Sequence, residues 1–576
     1  MIKKLAAHVK QYKIFAILTP IVMIGEVLME VLIPFVMADI IDNGIRTGDL
    51  SYVIQKGLMM AGMSIVSLAF GALGGALGSK AAMGFAKNLR SALFAKVQDF
   101  SFGNVDHFST SSLVTRLTTD VNHVQMSFLM LIRGAVRSPM MLIGAVIMAI
   151  RINPRLATIF LVAIPILGVC FYLISSTAHP RFKVMLKKYD ALNASVQENL
   201  IAIRIVKAFV RERHEMDKFE VSADDVRKAQ MRAEKVIILN GPVMQLTMYA
   251  CILAVLWLGG RMIIGGTFAL GQLASFLTYI SQTLTSLMML SMLFIMMIIS
   301  IAAMRRICEV LDEVPDISDA QAIPEAVPAD GSIEFRGVNF SYHKDPENLN
   351  LTDINLSIKS GETIGIIGGT GSAKTSLVQM IPRLYDPLSG EVWVGGRNVK
   401  EYTLSTLRDS TAMVLQKNVL FSGTIRDNLL WGNENATQEE LEEACKNADA
   451  YGFITSFPDG FDTELGQGGV NVSGGQKQRL CIARALLKKP KIVILDDSTS
   501  AVDTATDARI RAAFRRELKG TTTLIIAQRI SSVQDADRIV VMDDGKISDV
   551  GTHEELLQRN EIYKEVYTSQ QKGEED

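Results

Sequence analysis

Six stretches within the first 302 residues are apolar over roughly 20 positions or more, the length at which a helix rising 1.5 Å per residue crosses the hydrocarbon of a bilayer. They run about from Ile14 to Ala38, Gly57 to Ser79, Met126 to Ile150, Leu156 to Ser176, Val236 to Leu258 and Leu273 to Ala302. Backbone polar groups find no water in hydrocarbon, so such segments fold as helices with their hydrogen bonds satisfied internally. The rest of the 576-residue chain alternates short apolar runs with charged segments, as a soluble α/β domain does. A mean hydropathy of +0.24 averages these two halves and describes neither.

The segments Lys80 to Gln125 and His179 to Lys235 are long and charged, the second dense in bases such as Arg181, Lys187, Arg204 and Arg211. The other connections between spans are short and base-poor. Bases gather on the cytoplasmic side, so both long segments and both termini are expected inside a multi-pass plasma (bacterial inner) membrane protein in contact with lipid. The apolar run after Lys3 and Lys4 continues through Pro34 without a small-residue cleavage site and reads as a retained span. Cys170, Cys251, Cys308, Cys445 and Cys481 have neither disulfide-framework nor zinc spacing, and a net charge of −1 gives no reason to expect nucleic acid as a partner. Three prolines and several acids break the helical pattern between Glu313 and Ser332. The expected domains are therefore a six-span membrane domain over residues 1–312, a linker over 313–330 and a nucleotide-binding domain over 331–576.

In the last of these, the strand-like ETIGIIGG leads into a helix start through Gly368, Gly369, Thr370, Gly371, Ser372, Ala373, Lys374, Thr375 and Ser376. A tight glycine-rich turn and the positive end of a helix dipole converge backbone N–H groups on phosphates. Lys374 is expected to reach the β and γ phosphates of ATP, and the Thr375 hydroxyl to ligate Mg²⁺. Ala373 stands where the G-x-x-x-x-G-K-[ST] pattern has glycine, and is expected to be tolerated if its φ is negative. Downstream, KIVILDD reads as a buried strand delivering Asp496 and Asp497 to a sheet edge. Adjacent acids at a strand end otherwise read as a cap or solvated turn; the phosphate loop upstream favours Asp496 as a Mg²⁺ ligand and Asp497 as the group facing the attacking water. Between loop and strand, SGGQ opens an amphipathic helix and offers N–H groups to an anion.

With these motifs in this order, residues 331–576 resemble the cassette of an ABC transporter. The resemblance implies that Tyr342 stacks on adenine and that Gln416 links Mg²⁺ to the membrane domain. It further implies that Ser473, Gly474, Gly475 and Gln476 form the signature, with Val472 in place of leucine, and that Asp503 lies in the loop crossing to a partner cassette. The stretches VDHFSTSSLVTRLTTDVNHV and LNASVQENLIAIRIVKAFVRERHEMDKF resemble the intracellular extensions of ABC exporters. The implied architecture is a six-helix transmembrane domain of the exporter type followed by an α/β P-loop cassette, one half of a transporter of small-molecule substrates.

Two positions depart from the family. The residue after the Walker B aspartate is usually glutamate and is here Asp497; the later switch residue is usually histidine and is here Gln528. Shortening the side chain withdraws the carboxylate, and an amide cannot become a cation as imidazole can. ATP binding is expected to survive while hydrolysis suffers. Because the family's sites form between two cassettes, the paired departures resemble those of the degenerate subunit in heterodimeric multidrug-type exporters, and a second, different half-transporter is the expected partner. An importer on the same scaffold, or an ATP-gated regulator that does not consume nucleotide, are the alternatives.

In the first span Glu26 and Glu30 lie one turn apart near mid-bilayer and should point into the bundle, either to receive cationic cargo or as a hydrogen-bonded packing feature. Met288, Met289, Met292, Met296 and Met297 form a flexible stripe in the last span, read as core, lipid contact or an adaptable ligand surface.

Overall fold

The computed structural model describes residues 1–497 and 504–575, in two compact units: Met1–Gln98 with Thr110–Glu313, and Asp99–Ser109 with Val314–Asp576. In the first unit α1 (Ile2–Ala6) and a 3₁₀ turn lead into α2 (Lys13–Asp39) and α3 (Leu50–Gln98). The chain contributes α4 (Phe102–Phe108) to the second unit and then returns. It continues as α5 (Thr110–Thr115), α6 (Val121–Ile152), α7 (Pro154–Ile201), α8 (Ile203–Ala208), α9 (Glu212–Ile237), α10 (Asn240–Ile264) and α11 (Leu270–Asp312). Among the described residues six helical segments are long and apolar enough to cross a membrane. With 49 residues, α3 is about 73 Å long at 1.5 Å per residue, more than twice a hydrocarbon core, so its charged second half continues the helix beyond the apolar run.

Capping and small residues explain the local geometry. Asn153 accepts from the N–H groups of Arg155 and Leu156 with Pro154 in the first turn, and so starts α7 immediately after α6 ends. Asp42 accepts from the N–H groups of Gly271 (2.7 Å) and Gln272 (3.2 Å), capping α11 from the π-helical turn Ile40–Ile45 that follows α2. A Cβ on Gly74 would displace the end of the buried Met23 side chain, so this glycine makes room for Met23 of α2 against α3. The fully buried Tyr279 of α11 donates to the Val31 carbonyl of α2 at 2.7 Å. Farther along, Arg306 on α11 forms a two-pronged pair with buried Asp120, at 2.5 and 2.8 Å.

Glu26 and Glu30 have a partner that the sequence reading did not name. Arg137 of α6 approaches Glu30 at 2.7 Å and Glu26 at 3.4 Å, so one guanidinium spans both carboxylates. A second oxygen of Glu26, Oε2, is buried without a hydrogen bond. Met288, Met289, Met292 and Met297 are exposed on this unit and so do not form its core.

The second unit contains two sheets. The antiparallel one has the order β2 (Leu351–Ile358), β1 (Ile333–Phe340), β4 (Ser389–Val394), β5 (Arg397–Asn398). The six-stranded one runs β12 (Lys546–Gly551), β11 (Arg538–Asp543), β3 (Thr363–Gly368), β10 (Thr522–Ile526), β9 (Ile492–Asp496), β6 (Thr411–Val414), parallel throughout except for β12. A two-residue ladder joins β7 (Gly423–Thr424) and β8 (Glu464–Leu465). The helices are α12 (Lys374–Gln379), α13 (Leu404–Asp409), α14 (Ile425–Leu430), α15 (Gln438–Asn447), α16 (Tyr451–Ser456), α17 (Gly474–Leu487), α18 (Thr504–Glu517), α19 (His553–Arg559) and α20 (Glu561–Glu575). Strand β9 is buried at every position, as its unbroken Ile-Val-Ile-Leu run requires of a strand covered on both faces. In register, Ile526 of β10 stands opposite Asp496 of β9 and Ile366 of β3. That register brings the segments after β3, β9 and β10 to one edge of the sheet.

Candidate nucleotide site

At that edge Gly368 ends β3 at a φ of +159°, where a Cβ would collide with the Met542 carbonyl and the Ser372 hydroxyl. Gly371 turns the loop at φ +88°, and at both Gly369 and Gly371 an added Cβ would meet nothing within 4 Å. The loop is therefore tight on its sheet side and open on the other, a cradle of the size and polarity a phosphate chain needs. Ser372 donates through its hydroxyl to the Gly369 carbonyl at 2.8 Å and pins the turn. Thr370 lies between these glycines, and Ala373 ends the loop as the residue before α12.

Ala373 corrects the sequence reading. Its φ is +64° and its ψ +26°, the left-handed region, rather than the negative φ under which alanine was expected to be tolerated. The turn into α12 sets this conformation, and alanine adopts it at a cost of roughly 1–2 kcal/mol.

Lys374 Nζ bonds the carbonyls of Gly368 (2.9 Å) and Gly369 (2.8 Å) and the Ser372 hydroxyl (3.2 Å), which places the ammonium over the cradle. The Thr375 hydroxyl donates to Asp496 Oδ1 at 3.0 Å, although the two are 121 positions apart in the chain. Burial pushes the Asp496 carboxyl above the usual range, opposed by the Thr375 hydrogen bond; burial pulls the Lys374 ammonium below its ordinary value, opposed by Asp496 and Asp497. A cation beside Asp496 and an anion beside Lys374 would each relieve the shift its neighbour suffers, so this donor set fits Mg²⁺ with a triphosphate.

Asp497 follows at φ +48°, its N–H bonded to the Ile526 carbonyl at 3.0 Å. Its Oδ2 accepts from Gln528 Nε2 at 2.9 Å and from Gln416 Nε2 at 3.4 Å. Gln478, which the sequence reading passed over, donates from α17 to the Asp497 carbonyl at 3.3 Å. Tyr342 packs edge-on against Phe340 and Tyr385, and its hydroxyl lies 2.8 Å from that of Ser376. The structure thus gathers the phosphate loop, Ser376, Tyr342, Asp496, Asp497, Gln416 and Gln528.

The signature residues are organised differently. Ser473 caps α17: its hydroxyl accepts from the Gln476 N–H at 3.3 Å, and the Gln476 side chain accepts from the Ser473 N–H at 2.8 Å. This reciprocal cap fixes the helix start and leaves Ser473, Gly474, Gly475 and Gln476 at the positive end of a 14-residue helix. Asp503 lies outside the described residues.

The family model for the ABC transporter transmembrane region matches residues 16–288, and that for the ABC transporter cassette matches residues 351–500. The uncharacterized ABC transporter ATP-binding protein YfiB of Bacillus subtilis is 37% identical over 568 residues, covering 99% of this chain and 98% of its own. The chain belongs to the ABC transporter family. A further relative of this ABC transporter, the ATP-dependent lipid A-core flippase of Syntrophus aciditrophicus, is 33% identical over 83% of this chain and 79% of its own. A solved bacterial Atm1-family ABC exporter with ATP bound superposes with a TM-score of 0.81 over 97% of this chain and 98% of that one. At 24% identity that likeness is one of fold. The transporter is accordingly a multi-pass membrane protein with six candidate spans and an ATP-binding cassette, the make-up of a half-transporter.

Proposed function

We propose that this ABC transporter is half of a heterodimeric exporter whose own phosphate loop holds ATP at a degenerate site while its signature completes the partner's hydrolytic site. The observation that carries the reading is the Asp497 carboxylate, one methylene shorter than glutamate, with a single oxygen accepting from the amides of Gln528 and Gln416. A general base must reach the proton it removes, and both amides here are donors that hold the short carboxylate back. Gln528 also supplies no cationic form to a γ-phosphate.

Binding needs neither Asp497 nor Gln528. Tyr342 offers a ring for the adenine base, and Lys374 with the N–H groups of Gly369 to Thr375 receives the phosphates. Thr375, Asp496 and Gln416 supply oxygen donors for Mg²⁺, which when bound neutralises charge between the β and γ phosphates. In the partner's site the helix start at Ser473, Gly474 and Gly475 would stabilise charge on the γ-phosphate, and Asp503 would lie on the path between the two sites.

The direction of transport as export is supported by the exporter-type fold and by the membrane domain preceding its cassette in one chain. In this reading both termini are cytoplasmic in the plasma membrane, residues 1–312 are the membrane domain, 313–330 the linker and 331–576 the cassette. The end of α11 at Asp312 and the start of β1 at Ile333 support those boundaries. A lipophilic, multidrug-type cargo is supported by the exposed methionines of α11.

The test is ATP turnover by the purified chain alone and after copurification with the half-transporter it is found with. Low turnover alone and high turnover in the pair support the reading. Robust hydrolysis by the lone chain would sink it.

A further inference from the structure

Helix α20 reaches the backbone segment that carries Gln528. Along it Ile562, Tyr563, Val566 and Tyr567 recur at helical spacing, with the exposed Lys564, Glu565, Thr568 and Ser569 between and after them. This apolar face packs on Ile367 of β3, Val541 of β11 and, from the segment after β10, Ala527, Ile530 and Val533. Tyr563 is fully buried there, and its hydroxyl lies 2.7 Å from His553 Nδ1. Asn560 steadies the helix start by accepting from the Tyr563 N–H at 2.8 Å. The next position on the same face is 570. It holds a half-buried glutamine where the pattern calls for another apolar residue.

A polar side chain on a packed face needs partners, and this one has two. Gln570 Nε2 donates to the Gln528 carbonyl at 2.8 Å, and its Oε1 accepts from the Ile530 N–H at 2.8 Å. The sheet holds the backbone as far as Ala527, whose N–H donates to the Ile366 carbonyl at 3.2 Å. Gln570 takes it up one residue later and grips it on both sides of Arg529. The orientation of the amide follows from its partners, because turning it over would set donor against donor and acceptor against acceptor. From the gripped backbone the Gln528 side chain donates to Asp497 Oδ2 at 2.9 Å. A series of hydrogen bonds therefore runs from the packed face of α20 through Gln528 to the carboxylate beside the phosphate loop.

We propose that Gln570 is a positioning residue for ATP hydrolysis: it fixes the backbone from Gln528 to Ile530, and with it the reach of the side chain at 528 toward Asp497 and a γ-phosphate. The inference rests on the reading of Gln528 as the switch residue of this chain's own site. Gln570 acts only through that segment. The groups that receive the phosphates, Lys374 and Thr375, stand on α12, which Gln570 does not hold, so its loss lowers turnover and spares binding.

The experiment compares Gln570→Ala and Gln570→Glu in the full-length chain in lipid nanodiscs. It reads amide exchange at Ile530 and over residues 562–567, the affinity for Mg-AMP-PNP, and kcat and KM for ATP. Turnover is read in the chain as it is and in the Asp497→Glu, Gln528→His background, where the gripped backbone carbonyl is retained. Gln570→Ala should speed exchange at Ile530 by about tenfold or more and leave exchange over 562–567 within about twofold. AMP-PNP affinity should hold within about twofold. In whichever background turns over faster, kcat should fall by about tenfold at an unchanged KM. Gln570→Glu keeps the acceptor and loses the donor, so Ile530 should stay protected while kcat falls as in Gln570→Ala. Exchange that rises equally over 562–567 overturns the proposal, because Gln570 would then only hold the helix. So does exchange at Ile530 that ignores Gln570→Ala, or kcat unchanged in either variant. An AMP-PNP affinity lowered by about tenfold also overturns it, because Gln570 would then belong to binding. Fast turnover by the unaltered chain sinks the degenerate-site reading alone, since Gln570 is then tested in that chain. If neither background turns over, Gln570 has no reaction to position and the inference falls.

Discussion

Lengthening Asp497 to glutamate tests the degenerate-site reading at its chemical centre. The added methylene advances the carboxylate by at most about 1.5 Å, one C–C bond, from a position where it lies 2.9 Å from Gln528 Nε2. A misplacement on the order of 1 Å costs on the order of 100-fold in rate. This corresponds to about 2.7 kcal/mol of barrier. Asp497→Glu should therefore raise ATP turnover at this site by on the order of 100-fold. Adding Gln528→His should raise it further, because imidazole supplies both a cationic form and an acceptor nitrogen that the amide nitrogen of Gln528 lacks. The assay is phosphate release at saturating Mg-ATP by the purified chain at concentrations where it self-associates, paired with vanadate trapping to locate the ADP formed. The result that refutes the reasoning is an Asp497→Glu protein no faster than the unaltered one. An unaltered chain that already turns over at about 1 s⁻¹ or faster alone refutes it equally.

In the proposed heterodimer, the signature and this chain's own nucleotide site should differ in how much the assembled pair needs them. Gly475→Asp puts bulk and negative charge at the start of α17 and should nearly abolish ATP turnover of the pair, whereas Asp497→Asn should reduce it only modestly; the reverse ranking in the same phosphate-release assay would exchange the two sites. In the membrane unit Arg137→Met leaves Glu26 and Glu30 without their shared cation. Breaking a fully buried pair costs about 3–5 kcal/mol. With Arg137 36% exposed and the carboxylates 12% and 27%, about 2 kcal/mol is expected, read as a lowered midpoint of thermal unfolding in nanodiscs. Combining it with Glu26→Gln and Glu30→Gln should restore the midpoint, and a failure to restore it would mean that the carboxylates serve something other than Arg137. Ala373→Gly removes a left-handed alanine worth roughly 1–2 kcal/mol but frees the unfolded chain by about 0.4–1 kcal/mol, so the cassette's midpoint should hold or rise slightly. A clear fall would contradict the φ of +64°.

What was legible in the sequence follows the range over which each interaction acts. Membrane spans, the phosphate loop, and the Ser473–Gln476 cap are written within about 30 consecutive residues or fewer, and pattern reading finds them. Asp497 with Gln528 and Gln416 is different: 31 and 81 positions separate the partners, and it took a resemblance to a known cassette to place them in one site. The structure adds that the two amides converge on one carboxylate oxygen, which no motif states. Arg137 could have been noticed, with Arg133, as one of two cations inside the third apolar run, since a charge at that depth requires a partner. Its choice of both Glu26 and Glu30 depends on the rotation of α6 against α2. The φ of Ala373 could not be read at all, because the backbone there is set by the turn between β3 and α12 and the side chain merely tolerates it.

The same distinction bears on how a site altered at Asp497 and Gln528 would remain useful in the proposed reading. The groups that would hold the phosphates are positioned by local structure: the loop by Gly368 and Ser372, Lys374 by the carbonyls of Gly368 and Gly369, Thr375 by the first turn of α12. The groups that differ from the family, Asp497 and Gln528, are positioned instead by contacts between the ends of β9 and β10. Substitution at those two strand ends should therefore change hydrolysis while leaving the phosphate cradle in place. Phosphate binding and chemistry thus rest on different contacts in this cassette, the separation that the proposed role, holding ATP while a partner cycles, needs.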